Sequence, residues 1–531
     1  MEKIQADIAE QIENVRTYLG IEFGSTRIKA VLIGPDFQSI ASGSYEWENQ
    51  LKNGYWTYSL DDVVKGLQLS YSMLAAEVKE KYGLSLKKVA SIGVSAMMHG
   101  YLAFSKSGEQ LVPFRTWRNA TTGEAASKLT ELFGYNIPER WSIAHLYQAI
   151  LNQEAHVPQI DYLTTLAGYV HWQLTGEKVI GIGDASGMFP IDLKSKDYDE
   201  NFIERFETLE KGISLRKILP KVLQAGENAG ALTKAGAMLL DPSGQLEAGI
   251  LVCPPEGDAG TGMVATNSVE VRRGNISVGT SAFAMLVLEK NLSKVYPEID
   301  LVTTPDGHLV AMVHANNCTS DINAWVKLFE EYTEALGVNI ARDKIFSLLF
   351  NKALEADKDT GGLISYGYFS GENITKMPEG RPLFVRQANS QLTLANFMKV
   401  HIASAFGAIR LGMNILLQEG IKIEGLVGHG GIFKTPAVGQ SILAAAIQTP
   451  VTVMKTASEG GAWGMAILAA FAASGKKDLN LYLKNQVFIN VEHTTLSPTL
   501  EDMESYNIFI KRYAAGLEIE RQAVETLKEG L

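Results

Sequence analysis

The chain has 531 residues, of which 46% are hydrophobic and 20% charged, a composition typical of a folded protein long enough for more than one domain. Its formal net charge of -11 argues against broad binding to nucleic acid or acidic membrane, and no apolar run reaches the ~20 residues that span a bilayer. The two cysteines form no CxxC motif and the acidic N-terminus does not resemble a signal peptide, so we expect a cytoplasmic protein.

The first predicted element is an amphipathic helix near the N-terminus. Ile4, Ile8, Ile12 and Val15 recur at the spacing that places apolar side chains on one helix face. We therefore expect a helix ahead of the first strand.

Two strand–turn–strand segments then share one pattern. They are IEFGSTRIKAVLI, residues 21–33, and ISVGTSAFAMLVL, residues 276–288, in which Gly24 aligns with Gly279. Both segments alternate as strands do, and both carry hydroxyl residues beside glycine at the turn. Such a turn can present backbone N–H groups to an anion, or it can simply close a hairpin. Two copies in matching register indicate a duplicated chain.

Three further segments predict alternating strands and helices. Residues 89–100 form a buried-strand pattern, residues 249–268 a strand, loop and helix, and residues 423–447 a strand, glycine turn and helix. The sequence therefore predicts an α/β fold. We place its two domains at residues 1–268 and 269–531, with a cleft between them.

Neither of two common nucleotide-binding signatures accounts for these turns. No GxxxxGK[ST] motif occurs. A GxGxxA variant at residues 260–265 follows a plausible strand, but Pro254, Pro255 and Glu256 crowd the preceding turn and leave a poor approach for a pyrophosphate. The sequence disfavours a Rossmann site.

An ordered set of motifs points elsewhere. The segments are YVHWQLTGEKVIGIGDASGMFPID, ILPKVLQAGENAGALT, EGDAG, SVGTS, YGYFSGE and LVGHGGIFKTP. In this order they resemble the FGGY carbohydrate kinases of the actin/Hsp70/sugar-kinase superfamily, in particular xylulokinase-like members. The resemblance implies two duplicated ribonuclease H-like (actin-like ATPase) domains with an interdomain cleft. It also implies ATP and Mg²⁺ as cofactors, a small-molecule sugar as substrate and, in many members, a homodimer.

The resemblance assigns the catalytic and metal sites. Asp258, in EGDAG, aligns with the family's general base and would also face the metal. The alternative is that Asp258 only caps a helix beginning at Ala259. Glu22 stands where the family usually has an aspartate that serves Mg²⁺, and its extra methylene would change the metal geometry.

The same resemblance assigns the nucleotide-binding residues. The residues implied to hold the phosphates, the magnesium and the adenosine are Gly24, Ser25, Thr26, Gly279, Thr280, Gly428, Gly430, Gly431 and Lys434. Gly460, Gly461 and Ala462 would complete the nucleotide wall. The alternatives are that the glycines near 430 only serve a strand-to-helix turn and that those near 460 allow close helix packing.

The sugar side departs from the family pattern. Met98 and His99, in AMMHGYL, match a family stretch that faces the sugar, and Trp117 is retained from a WxDxR motif. A structural histidine and a core tryptophan are the alternatives. Asn119 and Thr121 replace the usual Asp and Arg of that motif. Met97 and Asn373 also replace a usual Gln and Arg, so the sugar pocket is expected to be altered.

The leading hypothesis is therefore an ATP-dependent kinase that phosphorylates a terminal hydroxyl of a small ketose or polyol, with a pentulose such as D-xylulose as the first candidate. A sugar- or nucleotide-binding regulatory protein that has lost turnover is the second hypothesis, motivated by Glu22 and the missing Asp/Arg pair. An actin- or chaperone-like ATPase acting on protein partners is the third. The sugar-cleft segments count against it.

Overall fold

A computed structural model describes residues 2–455 and 460–528 and divides the chain into two compact units. The ranges of the first unit are Met1–Val269, Asp300–Val310 and Glu459–Asn490. The ranges of the second unit are Glu270–Ile299, Ala311–Ser458 and Val491–Leu531. Neither unit is continuous in sequence, and the first includes a late helix, Gly461–Ser474.

The first unit is built on a six-stranded sheet. In spatial order its strands are Leu251–Val252, Ser91–Ala96, Tyr18–Phe23, Arg27–Ile33 and Ser39–Glu46, with Glu256–Gly257 also paired to Ser91–Ala96. Tyr18–Phe23 pairs antiparallel with Arg27–Ile33 and parallel with Ser91–Ala96. The apolar side chains of Leu19, Ile21 and Phe23 are fully buried. The first predicted hairpin is thus present, with its turn at residues 24–26.

Helices and short strand pairs complete the first unit. Its helices are Glu2–Glu13, Leu60–Tyr82, Gly123–Phe133, Ser142–Leu151, Leu166–Thr175, Ile182–Ala185, Glu200–Leu209, Leu215–Ile218, Lys234–Leu240, Asp258–Ala265, Gly461–Ser474 and Leu479–Tyr482, with shorter turns at Val157–Gln159 and Leu483–Val487. Its strand pairs are Gln50–Lys52 with Tyr55–Thr57, Leu102–Phe104 with Tyr162–Thr164, Val179–Gly181 with Lys221–Leu223, and Ile191–Asp192 with Asp197–Tyr198. In the N-terminal helix Ile8 and Ile12 pack on the core, whereas Ile4 is exposed.

The second unit repeats the arrangement of a hairpin flanked by a parallel strand. The strands of its sheet are, in spatial order, Leu309–Ala315, Ala282–Val287, Arg273–Val278, Gly425–Gly430, Val451–Met454 and His493–Leu496. The strand Ile299–Thr303 lies almost wholly within the residue range of the first unit. Arg273–Val278 pairs antiparallel with Ala282–Val287 and parallel with Gly425–Gly430. The second predicted hairpin is therefore also present, with its turn at residues 279–281.

The remaining elements of the second unit are mostly helical. They are Ser320–Ala335, Arg342–Lys352, Ala353–Glu355, Thr360–Gly362, Leu394–Ala405, Gly407–Gln418, Gly431–Phe433, Val438–Ile447 and Leu500–Thr526, together with the strand pair Ile364–Tyr366 and Leu383–Val385. Within residues 2–455 and 460–528 no single helix is long and apolar enough to cross a membrane. The pair Leu394–Ala405 and Gly407–Gln418 meets that criterion only jointly and is bent by 49°.

Candidate active site

The candidate site of the first unit lies at the carboxyl ends of two parallel strands. Tyr18–Phe23 and Ser91–Ala96 end at the same level, where Phe23 is paired with Ala96. Glu22 lies on the first strand, and Met98 follows the second. In α/β sheets this edge is where ligands usually bind.

Asp258 begins the helix Asp258–Ala265, directly after a short strand that pairs with Ser91–Ala96. Its Oδ1 accepts a hydrogen bond of 3.1 Å from the backbone N–H of Met98. Gly257 is the N-cap residue, so the alternative in which Asp258 caps a helix beginning at Ala259 is wrong. Burial raises the pKa of Asp258, while the N–H bonds to its carboxylate oppose the rise. The result is a carboxylate more basic than one in water.

Glu22 is bound to a helix from the far end of the chain. Its Oε2 accepts a hydrogen bond of 3.2 Å from the backbone N–H of Ala462, in the first turn of Gly461–Ser474. A Cβ on Gly461 would lie only 2.1 Å from Oε1 of Glu22, so a side chain there would displace this carboxylate. Burial, and then the charge of Asp258, raises the pKa of Glu22 to about 7. The extra methylene of Glu22 gives its carboxylate the reach to this helix terminus.

Met98 and His99 lie beside the candidate base. Met98 packs against Gly257, where an added Cβ would come within 2.1 Å of its Cγ. His99 has a positive φ of 70°, and its Nδ1 lies 3.2 Å from the carbonyl oxygen of Gly187. Because a carbonyl only accepts, Nδ1 carries the proton. Burial lowers the pKa of His99 to about 3, so the ring is neutral and its Nε2 is an acceptor.

Two buried acids, Glu256 and Asp184, lie behind Asp258 and are not predicted as site residues by the sequence. The Glu256 carboxylate accepts hydrogen bonds from the N–H groups of Gly183, at 3.2 Å, and Asp184, at 3.0 Å. Oδ2 of Asp184 in turn accepts one of 2.6 Å from the hydroxyl of Thr165. Burial raises the pKa of Asp184 to about 7 and that of Glu256 to about 8. These bonds join the segment before Asp258 to the helix Ile182–Ala185. In the sequence, each of the two acids lies inside a glycine-rich motif, and that pattern could have indicated them.

Ser25 and Thr26 are exposed at the turn of the first hairpin, next to the partly buried Gly24. Gly24 N–H closes the turn by donating to the carbonyl oxygen of Arg27 at 3.0 Å. In the second unit Gly279 and Thr280 occupy the corresponding turn and are exposed. Both turns therefore offer small polar groups to solvent.

The glycines near residue 430 have different surroundings. A Cβ on Gly428 would lie 2.7 Å from the ring of Phe433, so a side chain here would displace that ring. Gly430 has a φ of 122°, which favours glycine, and a Cβ there would lie 2.0 Å from the carbonyl oxygen of Val278. A Cβ on Gly431 would meet nothing within 4 Å, and Lys434 is exposed nearby in sequence. Of these glycines, Gly431 has the open approach that a ligand needs.

Trp117 and Asn119, in the segment that replaces the family's WxDxR motif, differ in burial. Trp117 is 40% exposed, so the alternative of a core tryptophan is wrong. Asn119 is buried, and its Oδ1 accepts a hydrogen bond from Trp56 N–H at 2.8 Å. Its Nδ2 donates to the carbonyl oxygens of Trp56, at 2.9 Å, and Thr116, at 3.0 Å. The amide of Asn119 is committed to the backbone, and a carboxylate could not make the last two bonds.

The carboxylates of Glu22 and Asp258 fit a magnesium ion that accompanies a nucleotide. No cluster of three or more His, Cys, Asp or Glu side chains suited to a metal occurs in the described part of the chain. Mg²⁺ keeps several waters, however, and commonly takes only one or two carboxylates besides phosphate oxygens. Glu22 and Asp258 repel each other electrostatically, and burial opposes the ionisation of both. A cation would relieve both effects.

Comparison with known proteins identifies the family. The model for the N-terminal domain of the FGGY family of carbohydrate kinases matches residues 17–258, and that for the C-terminal domain matches residues 274–473. Xylulose kinase from Haemophilus influenzae is 22% identical over 512 residues, covering 94% of this chain and 99% of that protein.

Solved structures support the same fold. Xylulose kinase from Rhodospirillum rubrum aligns with a TM-score of 0.77 at 19% identity, covering 96% of this chain and 99% of that one. Gluconate kinase from Lactobacillus acidophilus aligns with a TM-score of 0.76 at 17% identity, covering 96% and 98%. The predicted α/β fold of actin-like type is confirmed. Because the two family models together match well over half of its residues, the chain belongs to the FGGY family of carbohydrate kinases.

Proposed function

We propose that this kinase transfers the γ-phosphoryl group of ATP to a terminal hydroxyl of a pentulose, with D-xylulose as the first substrate to test. The observation that carries the proposal is the Asp258 carboxylate, which has a raised pKa, a hydrogen bond from Met98 N–H and His99 close by in sequence. A general base for an alcohol needs this combination of basicity and fixed orientation.

The reaction would proceed by in-line displacement. Asp258 accepts the proton of the attacking hydroxyl as its oxygen bonds to the γ-phosphorus and the bond to the β-phosphate oxygen breaks, leaving ADP. The neutral His99 accepts a hydrogen bond from another sugar hydroxyl at Nε2, and Met98 and Trp117 supply apolar contact. Glu22 and Asp258 would hold Mg²⁺, which would neutralise phosphate charge there.

The nucleotide would be bound by backbone groups. Gly24, Ser25 and Thr26 present N–H groups and hydroxyls to phosphate oxygens, and Gly279 and Thr280 have the same chemistry in the second unit. The residues proposed for the adenosine are Gly428, Gly430, Gly431 and Lys434. The open surroundings of Gly431 support this assignment most directly.

The substrate class rests on sequence rather than on fold. Relatives named xylulose kinase match the chain over nearly its whole length. Solved structures named xylulose kinase and gluconate kinase, however, align with TM-scores of 0.77 and 0.76. The Met98–His99 pair favours the pentulose, and we place the reaction in the cytoplasm.

The test is sugar-dependent ADP release with Mg-ATP across ketopentoses, ketohexoses, polyols and gluconate. Asp258→Asn should lower kcat by about 10²- to 10⁴-fold, the usual contribution of a general base. Asp199→Asn is the matched control, because Asp199 N-caps Glu200–Leu209 and asparagine caps equally well. A pentulose that gives the highest kcat/KM supports the proposal. Activity on no sugar, or activity unchanged in Asp258→Asn, would refute it.

A further inference from the structure

We propose that Trp47 and Tyr58 are positioning residues that direct two backbone N–H groups of the first turn, residues 24–26, towards the nucleotide phosphates. The inference rests on the proposed function, because it assigns a task to two buried aromatic residues beside the proposed phosphate site. Both residues belong to the first unit, as does the turn.

The aromatic pair binds successive carbonyl groups of the turn. The indole Nε1–H of Trp47 donates to the carbonyl oxygen of Gly24 at 2.7 Å, and the hydroxyl of Tyr58 donates to that of Ser25 at 2.5 Å. The backbone N–H of Trp47 donates to the carbonyl oxygen of Thr26 at 3.1 Å. All three carbonyl groups of the turn are thereby directed towards the pair.

Peptide geometry converts this arrangement into a direction for the N–H groups. In a planar trans peptide the C=O of one residue and the N–H of the next point in opposite directions. The N–H of Ser25 therefore points away from the Trp47 indole, and that of Thr26 away from the Tyr58 hydroxyl. Neither N–H has a hydrogen-bond partner among the described residues. Two adjacent N–H donors that both point away from the aromatic pair can bind an anion.

The pair itself is rigidly held. The Trp47 and Tyr58 rings stack at 4.1 Å with an interplanar angle of 26°, and Phe23 contacts Trp47 edge-on at 6.1 Å. Trp47 is 6% exposed and Tyr58 is 2% exposed. Burial raises the pKa of Tyr58 to about 12, so its hydroxyl remains a donor at neutral pH.

The second turn is held in the same way by different groups. The carbonyl oxygen of Gly279 accepts from Thr319, by N–H at 3.1 Å and by hydroxyl at 2.7 Å. The carbonyl oxygen of Thr280 accepts from Cys318 N–H at 2.8 Å. The same rule then directs the N–H groups of Thr280 and Ser281 away from that loop. In each turn the first two carbonyl groups accept hydrogen bonds from residues outside the turn, which is expected if the N–H groups that follow them bind the ligand.

The experiment compares Trp47→Phe and Tyr58→Phe with Tyr71→Phe. Each of the first two variants keeps an aromatic ring and removes one donor to the turn. Tyr71 is the matched control, because its buried hydroxyl also donates to a carbonyl oxygen, that of Leu86 at 3.3 Å, away from the turn. The measurements are KM for Mg-ATP, KM for the sugar, the dissociation constant of Mg-ADP by calorimetry, and the melting temperature.

We expect Trp47→Phe and Tyr58→Phe each to raise KM for Mg-ATP and the dissociation constant of Mg-ADP about five- to tenfold. The KM for the sugar should stay within twofold, and Tyr71→Phe should change none of these constants by more than twofold. A role in folding alone would lower the melting temperature of all three variants without this split. Nucleotide constants in the first two variants that match those of Tyr71→Phe would overturn the inference.

The calorimetric measurement separates this inference from the proposed function. If the parent protein releases no ADP with any sugar but binds Mg-ADP, the proposed function fails. Weaker Mg-ADP binding by Trp47→Phe and Tyr58→Phe would then still support the positioning role. If the parent protein does not bind Mg-ADP, the positioning role is refuted as well.

Discussion

Replacing Gly461 by alanine tests whether the position of the Glu22 carboxylate matters for catalysis. The new Cβ would lie 2.1 Å from Oε1 of Glu22 and 2.9 Å from the hydroxyl oxygen of Thr261. Non-bonded carbon and oxygen atoms do not approach closer than about 3.0 Å, so the carboxylate must retreat by roughly 1 Å. Its hydrogen bond with Ala462 N–H, 3.2 Å long, would then be broken.

The expected effect on stability is smaller than that on activity. A hydrogen bond to a charged group contributes about 1.5–3 kcal/mol, and alanine recovers up to about 1 kcal/mol over glycine in a helix. Gly461→Ala should therefore lower the free energy of unfolding by only about 0.5–3 kcal/mol. Misplacing a catalytic group by about 1 Å can lower the rate about 100-fold. We expect kcat/KM for Mg-ATP to fall by up to about 100-fold.

The assay is steady-state sugar phosphorylation together with denaturant unfolding. Gly262→Ala is the control, because Gly262 lies in Asp258–Ala265 and a Cβ there would meet nothing within 4 Å. Combining Gly461→Ala with Glu22→Asp should restore part of the activity, since the shorter side chain withdraws its carboxylate by about 1.5 Å. Full activity in Gly461→Ala would refute the reasoning, and so would a double variant no better than the single one.

Two further predictions concern buried polar groups. Glu520 is fully buried, and burial raises its pKa from about 4.5 in the unfolded chain to about 7 in the folded protein. The contribution of Glu520 to the free energy of unfolding is therefore complete below pH 4.5 and is lost as the pH rises through 7. Denaturant unfolding at pH 5 and pH 8 measures how much the free energy of unfolding falls between these pH values, and Glu520→Gln should reduce that fall by up to about 3 kcal/mol. An equal fall in the parent protein and the variant would contradict the prediction. Asn119→Asp should lower the free energy of unfolding by about 3 kcal/mol at pH 7, because a carboxylate would face the carbonyl oxygens of Trp56 and Thr116. An unchanged denaturation midpoint would show that the hydrogen bonds of the Asn119 amide are unimportant for stability.

The parts of the molecule predicted from sequence are those encoded locally. Alternating apolar residues and small turn residues gave both hairpins, because strand periodicity and turn chemistry act over a few neighbours. The strand, loop and helix around Asp258 followed for the same reason. The helix start was displaced by one residue, since the boundary depends on backbone geometry that residue type leaves open.

The missed parts depend on contacts between distant residues. Glu22 and Ala462 are 440 positions apart, and the pairing of Glu256 with Asp184 spans 72. No local pattern marks the late helix Gly461–Ser474 as a member of the first unit. Tyr58 likewise reads as an ordinary aromatic residue until the turn that it holds is known.

These distant contacts also bear on the hypothesis of a regulatory protein that has lost turnover. That hypothesis was motivated by two departures, Glu22 in place of aspartate and Asn119 in the altered sugar motif. In the structure Glu22 reaches a helix terminus whose first residue, Gly461, leaves room for it, and Asn119 makes three backbone hydrogen bonds that need an amide. Glu22 and Asn119 thus each have neighbouring groups that fit the residue present. We expect this of a functional site, and not of a site that accumulates substitutions after loss of activity. With Asp258 still held by Met98 N–H, the weight of the observations lies with a working kinase.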